Sequence, residues 1–223
     1  MNALSLIAVD LDGTLLTGQH TMAPEGARQL QRAHRSGVRV VLPITTERLV
    51  LRRFTYGDVA DLLSCLSDPS FARATPEIEA TEAGVRAYVD VQNGLALFEL
   101  DRCFDLAIER KDDSRVLGLL SLVRKAHGQG EIGYALGLAH RGRGYATEAA
   151  RAMLAYAFST LGLHRVQATT GPANRGSWRV MERLGMRREG RLREAAFSEG
   201  VWEDVLIYGI LAGESNLPAS HHE

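Results

Sequence analysis

The residues with the clearest chemical signature are Arg141-Gly142-Arg143-Gly144-Tyr145-Ala146-Thr147, placed between a strand-like run and a long amphipathic stretch. Gly142 and Gly144 remove side chains where the backbone must turn sharply, so consecutive amide N–H groups can point into one concavity. A helix starting there adds unpaired N–H donors and the positive end of its dipole. Together these form a cradle for a diphosphate, with Arg141 and Arg143 supplying formal charge nearby. Behind the turn, Ala146, Ala149, Ala150, Met153, Leu154 and Ala157 form an apolar stripe that would seat the helix on a sheet. Two familiar phosphate motifs do not fit. The spacing is not G-x-G-x-x-G, no acidic residue stands at a strand end for a ribose, and no Gly-Lys-Ser/Thr follows. By itself a G-x-G of this kind more often reads as a glycine-containing strand-helix junction without a ligand.

The elements that must position this turn alternate in kind. Glu47 to Arg52 begin an alternating strand, and helical stretches at about 56–66 and 79–93 follow. Strands are expected near 103–109, 115–123 and 131–138, then a helix at about 145–161, a strand at 165–170 and a helix at about 175–185. Two strands, roughly 187–194 and 201–211, close the pattern, and 212–223 reads as a polar tail. The fold class is α/β (α+β), a mixed sheet flanked by helices. Before it, residues 1–43 form a short β-α-β unit: a strand from Leu6 to Val9, a helix opened by Pro24 and stopped by Gly37, and a strand from Val38 to Leu42. Pro43 to Thr46 marks the boundary.

Composition narrows the function classes. The 223 residues are 45% hydrophobic and 24% charged with a net charge of −1, which gives no reason to expect a nucleic acid or membrane partner. The lysines are Lys111 and Lys125 alone, and arginine carries the rest of the positive charge among interspersed acids. Cys65 and Cys103 make neither a disulfide framework nor a metal site. With no signal peptide and no apolar run near the roughly 20 residues of a membrane span, a cytoplasmic location is expected.

The string Glu131-Ile132-Gly133-Tyr134-Ala135-Leu136-Gly137-Leu138-Ala139-His140 running into RGRGYATEAARAMLAYAF resembles the GNAT superfamily of N-acetyltransferases. Arg141, Gly144 and Ala146 match its R-x-x-G-x-A acetyl-CoA motif, and the wider string is similar to the ribosomal-protein N-terminal acetyltransferase group (RimJ/RimL-like). The resemblance continues through Asn174-Arg175-Gly176-Ser177, Glu182-Arg183-Leu184-Gly185-Met186 and Gly200-Val201-Trp202-Glu203-Asp204, and starts at Thr46-Glu47-Arg48-Leu49. It covers about 44–211; Met186 replaces the usual phenylalanine, a tolerable apolar swap.

That resemblance implies a splayed, mostly antiparallel sheet in which the strand Gly133 to Leu138 diverges from the strand at 165–170. Acetyl-CoA would be the donor, with its diphosphate on residues 141–147, Asn174 nearby, and its pantetheine arm pairing with backbone groups of Leu136 and Leu138. A primary amine, on a protein N-terminus or a small molecule, would attack the thioester directly, assisted by orientation and a free backbone N–H as an oxyanion site. The implied base is Glu131, directly or through water, and the implied acid beside the sulfur is Ser177. The plainer readings are an exposed strand carboxylate and an Asn174 helix cap with Ser177 packed in the first turn. Some relatives carry a glutamate base before the last strand. By spacing that position is Ala196 here, with Glu194 and Glu199 offset from it. Trp202 and Asp204 read as structural or substrate-wall residues, the cysteines as inert thiols, and the expected assembly is a monomer or homodimer. No metal is expected.

The segment Leu6 to Leu16, containing Asp10-Leu11-Asp12-Gly13-Thr14, resembles the first motif of haloacid-dehalogenase-like phosphatases, where the two aspartates work beside Mg²⁺. The match stops at Pro43, and such a short fragment cannot bury the core of that enzyme, so it is expected to be non-functional. Two alternatives to acetyl transfer therefore stand: a Mg-dependent phosphatase acting through Asp10 and Asp12, and a non-catalytic acyl-CoA-binding protein.

Overall fold

The computed structural model of the protein describes residues 6–7, 39–40, 43–198 and 200–215. The chain divides into two compact units, Met1–Pro43 and Ile44–Glu223. In the first, β1 (Leu6–Ile7) pairs in parallel with β2 (Arg39–Val40). Asp10 and Asp12 lie outside the described residues.

The second unit is built on one eight-stranded sheet. Its strands are β3 (Ile44–Thr45), β4 (Leu49–Arg52), β5 (Cys103–Arg110), β6 (Val116–Lys125), β7 (Gln129–Leu136), β8 (Arg165–Thr170), β9 (Arg187–Ser198) and β10 (Val201–Leu211), in the order β3-β4-β5-β6-β7-β8-β10-β9. Every neighbouring pair is antiparallel except β7 and β8. The expected splayed sheet is thus the one observed.

Among the described residues five helices cover its two faces: α1 (Val59–Leu66), α2 (Pro69–Ala74), α3 (Glu82–Gly94), α4 (Tyr145–Ser159) and α5 (Arg175–Arg183). Strand residues alternate between the faces. Phe104, Leu106, Ile108, Ile132 and Leu136 pack with Met153 and Leu154 of α4 and Met181 of α5. Ala107, Leu119 and Ala135 pack instead with Leu62, Phe71, Val85 and Val89 from α1 to α3.

Local chemistry explains most element ends. Thr81 opens α3 by accepting from the Gly84 N–H at 3.0 Å, three residues later than periodicity alone suggests. The helix expected at 56–66 starts as a 3₁₀ turn over Tyr56–Asp58; buried Asp58 accepts there from the Thr55 N–H at 2.7 Å and also holds Arg52 of β4 at 2.7 and 2.8 Å. Helix α2 is an addition to the expected set; Asp68 caps it and Pro69 occupies its first position. The strand expected to reach residue 138 ends at Leu136, and Leu138–His140 form a 3₁₀ turn. Of the expected tail, Ala212–Glu214 form another such turn, and 216–223 lie outside the described residues.

The feature that positions the site is the short partnership of β7 and β8. They share three residue pairs, ending at Glu131 opposite Gln167. Beyond that rung β7 stays with β6 as far as Leu136, and β8 stays with β10 as far as Thr170, so a wedge opens between them. Gly118 fixes one wall of the wedge. It lies opposite Leu136 at φ +153°, and a Cβ there would meet the Ala135 carbonyl oxygen at 2.1 Å. Gly118→Ala is therefore expected to lower stability by about 1–3 kcal/mol through overpacking, measured by urea unfolding. A change below about 0.5 kcal/mol, the usual range of a neutral surface substitution, would show that the close approach is not needed.

Candidate active site

The wedge exposes backbone groups as well as space. Gly137 N–H donates to the Leu117 carbonyl at 2.9 Å, so the odd-numbered residues of β7 hydrogen-bond to β6. Alternation turns the backbone groups of Tyr134 and Leu136 toward the wedge. The Leu136 carbonyl is already taken, because Arg141 Nε donates to it at 2.8 Å. Its N–H is the group left to face an extended ligand. Leu138 offers no second rung; it is 66% exposed in the 3₁₀ turn, and its carbonyl accepts from the Arg141 N–H at 3.3 Å.

The turn has the backbone an anion needs. Gly142 and Gly144 stand at φ +77° and +83°, conformations that β-branched side chains rarely adopt. Gly144 is the N-cap of α4 and brings no side chain to cap it. The first N–H groups of the helix are thus left for a ligand to satisfy. A Cβ on Gly142 would meet nothing within 4 Å, so the space above it is open.

Two arginines brace this turn instead of facing a ligand freely. Arg48 pairs with Glu148 of α4 at 2.6 Å, lies 4.6 Å over the Tyr145 ring, and donates to the Arg143 carbonyl at 3.2 Å. Partial burial pushes the Glu148 carboxyl up, but hydrogen bonds from Thr46 and Arg48 outweigh it and hold the group below its ordinary value. Arg141 reaches the other way. Besides the Leu136 carbonyl it holds Ser70 Oγ at 2.7 Å and Asp68 at 2.6 Å, tying the start of α2 to the turn. The Arg143 side chain is exposed and away from the cavity wall.

Beside the wedge, the Asn174 side chain accepts from the Ser177 N–H at 3.1 Å and caps α5. The capping role is therefore present. Ser177 Oγ also lies 3.4 Å from Tyr134 Oη, and that phenol donates to the Ser177 carbonyl at 2.9 Å. Burial pushes the Tyr134 phenol up to about 12, opposed by its hydrogen bond with Ser177, so it stays protonated at neutral pH. Tyr134 is a member of the site that the sequence reading passed over.

Glu131 sits at the fork itself, in the last β7–β8 pair. Its carboxylate is held by Lys125 at 2.6 Å and by Gln167 at 3.3 Å. Alternation puts it with Ala135 on the α1–α3 face, opposite Tyr134 and Ser177. The two expected catalytic residues thus flank the wedge from opposite faces, with no bond between them. Ala196 stands opposite Glu203 of β10, whose carboxylate oxygen lies 3.6 Å from where a Gly171 Cβ would be, at the end of β8. Glu194 and Asp204 are tied to each other, the Glu194 N–H donating to Asp204 at 2.9 Å. Trp202 is exposed and packs against Phe197, the two rings tilted by 53° with centroids 5.0 Å apart. Glu199 lies outside the described residues. Burial pushes the Cys65 thiol up to about 11; Cys103 is exposed at the start of β5, and partial desolvation of its thiol together with Asp105 pushes it up to about 12, so neither offers a thiolate.

A cavity of about 690 Å³ joins the end of β7, the turn and α5. Of the twelve expected site residues, all but Glu131, Leu138 and Arg143 line it. Gly144→Val, which cannot take φ +83° without strain, is expected to abolish acetyl-CoA binding in calorimetry while the chain remains folded. Unchanged affinity would rule out the turn as the anion cradle.

Comparison with known proteins bears on the same residues. The family model "Acetyltransferase (GNAT) domain" matches residues 48–187. A model for haloacid dehalogenase-like hydrolases matches the short stretch 7–52. The chain is similar to the uncharacterized N-acetyltransferase YnaD of Bacillus subtilis, 34% identical over 175 residues covering 78% of this chain and 99% of YnaD. It is also similar, at 29% identity over 99 residues, to the ribosomal protein uS5-alanine N-acetyltransferase of Escherichia coli, covering 43% of this chain and 51% of that one. A solved GNAT-family acetyltransferase from Bacillus anthracis superposes with a TM-score of 0.69 at 31% identity, covering 78% of this chain and all of that one. No helix among the described residues is long and apolar enough to cross a membrane. The family match over the whole wedge, turn and α5, together with full-length similarity to YnaD, makes this chain a member of the GNAT acetyltransferase family.

Proposed function

We propose that the protein acetylates a primary amine in a ternary complex with acetyl-CoA, the N-terminal α-amine of a protein being the favoured acceptor. The observation that carries this reading is the open wedge between β7 and β8, which runs from an uncapped helix start to the Ser177–Tyr134 hydroxyl pair. The similarity to a ribosomal-protein alanine N-acetyltransferase supports a protein N-terminus over a small amine.

Acetyl-CoA supplies an activated acetyl group as a thioester. The protein's part is to bind, orient and move protons. The N–H groups of residues 142–147 hold the diphosphate, and the Leu136 N–H aligns the pantetheine arm. Glu131 accepts the proton of the incoming amine, directly or through water, from the α1–α3 face. Ser177 Oγ stands on the other face to donate to the departing sulfur, and Tyr134 holds it there. Delivering the two partners from opposite faces keeps base and acid from quenching each other.

Glu131→Gln is expected to lower kcat about 10²-fold or more, within the range for loss of a general base, with the KM for acetyl-CoA unchanged. The assay is CoA release on a panel of N-terminal peptides and small amines. A kcat within twofold of the parent would move the base elsewhere, with Glu203, beside Gly171, as the next carboxylate to replace.

A further inference from the structure

Helix α5 carries Arg175, Arg179 and Arg183 at four-residue spacing, which sets them in one stripe. All three line the same cavity as the phosphate turn, and all three are exposed. Most arginines of the sheet and its loops are matched to an acid: Arg48 to Glu148, Arg52 to Asp58, Arg115 to Asp61, Arg141 to Asp68, Arg165 to Glu189. The three guanidinium groups of the stripe make no ion pair or hydrogen bond among the described residues, and Arg179 lies 5.6 Å from the centroid of the Trp178 ring. Glu182, the one acid of α5, is directed to Tyr208, whose phenol it helps to raise. Like charges at i, i+4 repel and weaken a helix. A stripe of cations kept clear of acids and turned to a cavity is therefore built for an anion.

The neighbouring geometry says where that anion lies. Arg151 of α4 donates to the Arg183 carbonyl at 3.1 Å, so the far end of α5 is held beside the helix whose start forms the turn. Ser177, at the near end of α5, belongs to the reacting end of the wedge. Arg183 is six residues further on, about 9 Å along the axis. Acetyl-CoA carries a diphosphate and a separate phosphate on the ribose 3′ oxygen, remote from the thioester. That phosphate is a monoester, mostly dianionic at neutral pH because its second pKa is near 6, and the turn that takes the diphosphate leaves it unmatched.

On the acetyl-CoA reading above, we propose that Arg179 and Arg183 bind the 3′-phosphate of the donor and make the enzyme selective for 3′-phosphorylated CoA thioesters. Guanidinium groups suit this task because their fork of donors matches phosphate oxygens. Both are exposed, so each contributes modestly and is screened by salt.

The test is titration calorimetry of the full chain with acetyl-CoA and with acetyl-3′-dephospho-CoA, for the parent and for Arg179→Gln/Arg183→Gln. The parent is expected to bind acetyl-CoA about tenfold more tightly at low salt, two exposed charge pairs being worth that much together, and less so at high salt. The double variant is expected to bind both donors alike, at the parent's affinity for the dephospho donor. Equal affinity of the parent for both donors, or a double variant that keeps the preference or weakens both donors equally, overturns the phosphate assignment alone. Failure of the parent to bind either donor overturns the acetyl-CoA reading and this assignment with it.

Discussion

The site depends on the parting of two parallel strands. β7 and β8 hold together for three residue pairs and then separate, each kept in the sheet by its other neighbour. A backbone edge inside a sheet is ordinarily satisfied by the next strand, and an unpaired edge presents a row of donors and acceptors. Here that row includes Tyr134 and Leu136, and both residues line the cavity. The uncapped start of α4 follows β7 in the chain, so in the proposed reading one defect in pairing sets an extended slot beside an anion cradle. The rest of the fold keeps the defect open: Gly118 lets β6 approach β7 closely, and Arg141 occupies the Leu136 carbonyl.

The braces around the turn show how charge is used. Arg141 carries the family signature, yet its guanidinium is spent on Asp68, Ser70 and a backbone carbonyl. In the proposed complex the positive charge facing the ligand comes from the helix start and from α5. This division has a physical logic. Backbone N–H groups are fixed by the fold and need no reorganisation to meet a diphosphate, whereas a long cationic side chain must be ordered first. Fixing Arg141 internally makes it a strut between the turn and α2.

What the sequence revealed follows from the range of each interaction. Gly142 and Gly144 were legible because a turn of this kind is a local steric requirement, and the helix behind it announced itself through its apolar stripe. Asn174 was legible as a cap for the same reason. Tyr134 was not, because its partner Ser177 lies 43 residues away on another element. Leu138 was placed on a strand because apolar alternation runs through it, but the chain leaves the ladder at Gly137 to form the turn. Helix α2 had a readable start in Asp68-Pro69, and it is short enough that periodicity gives no support. The placement of Glu131 and Ser177 on opposite faces follows from strand register, which only the folded sheet fixes.

The central claim is that the N–H groups following Gly142 are kept without partners so that the donor's diphosphate can supply them. Amide chemical shifts of the isotopically labelled protein, followed during titration with CoA, test it directly. The largest changes are predicted at residues 142–147, with Leu136 N–H next. Saturable binding that leaves those amides unmoved would place the ligand elsewhere and contradict the account.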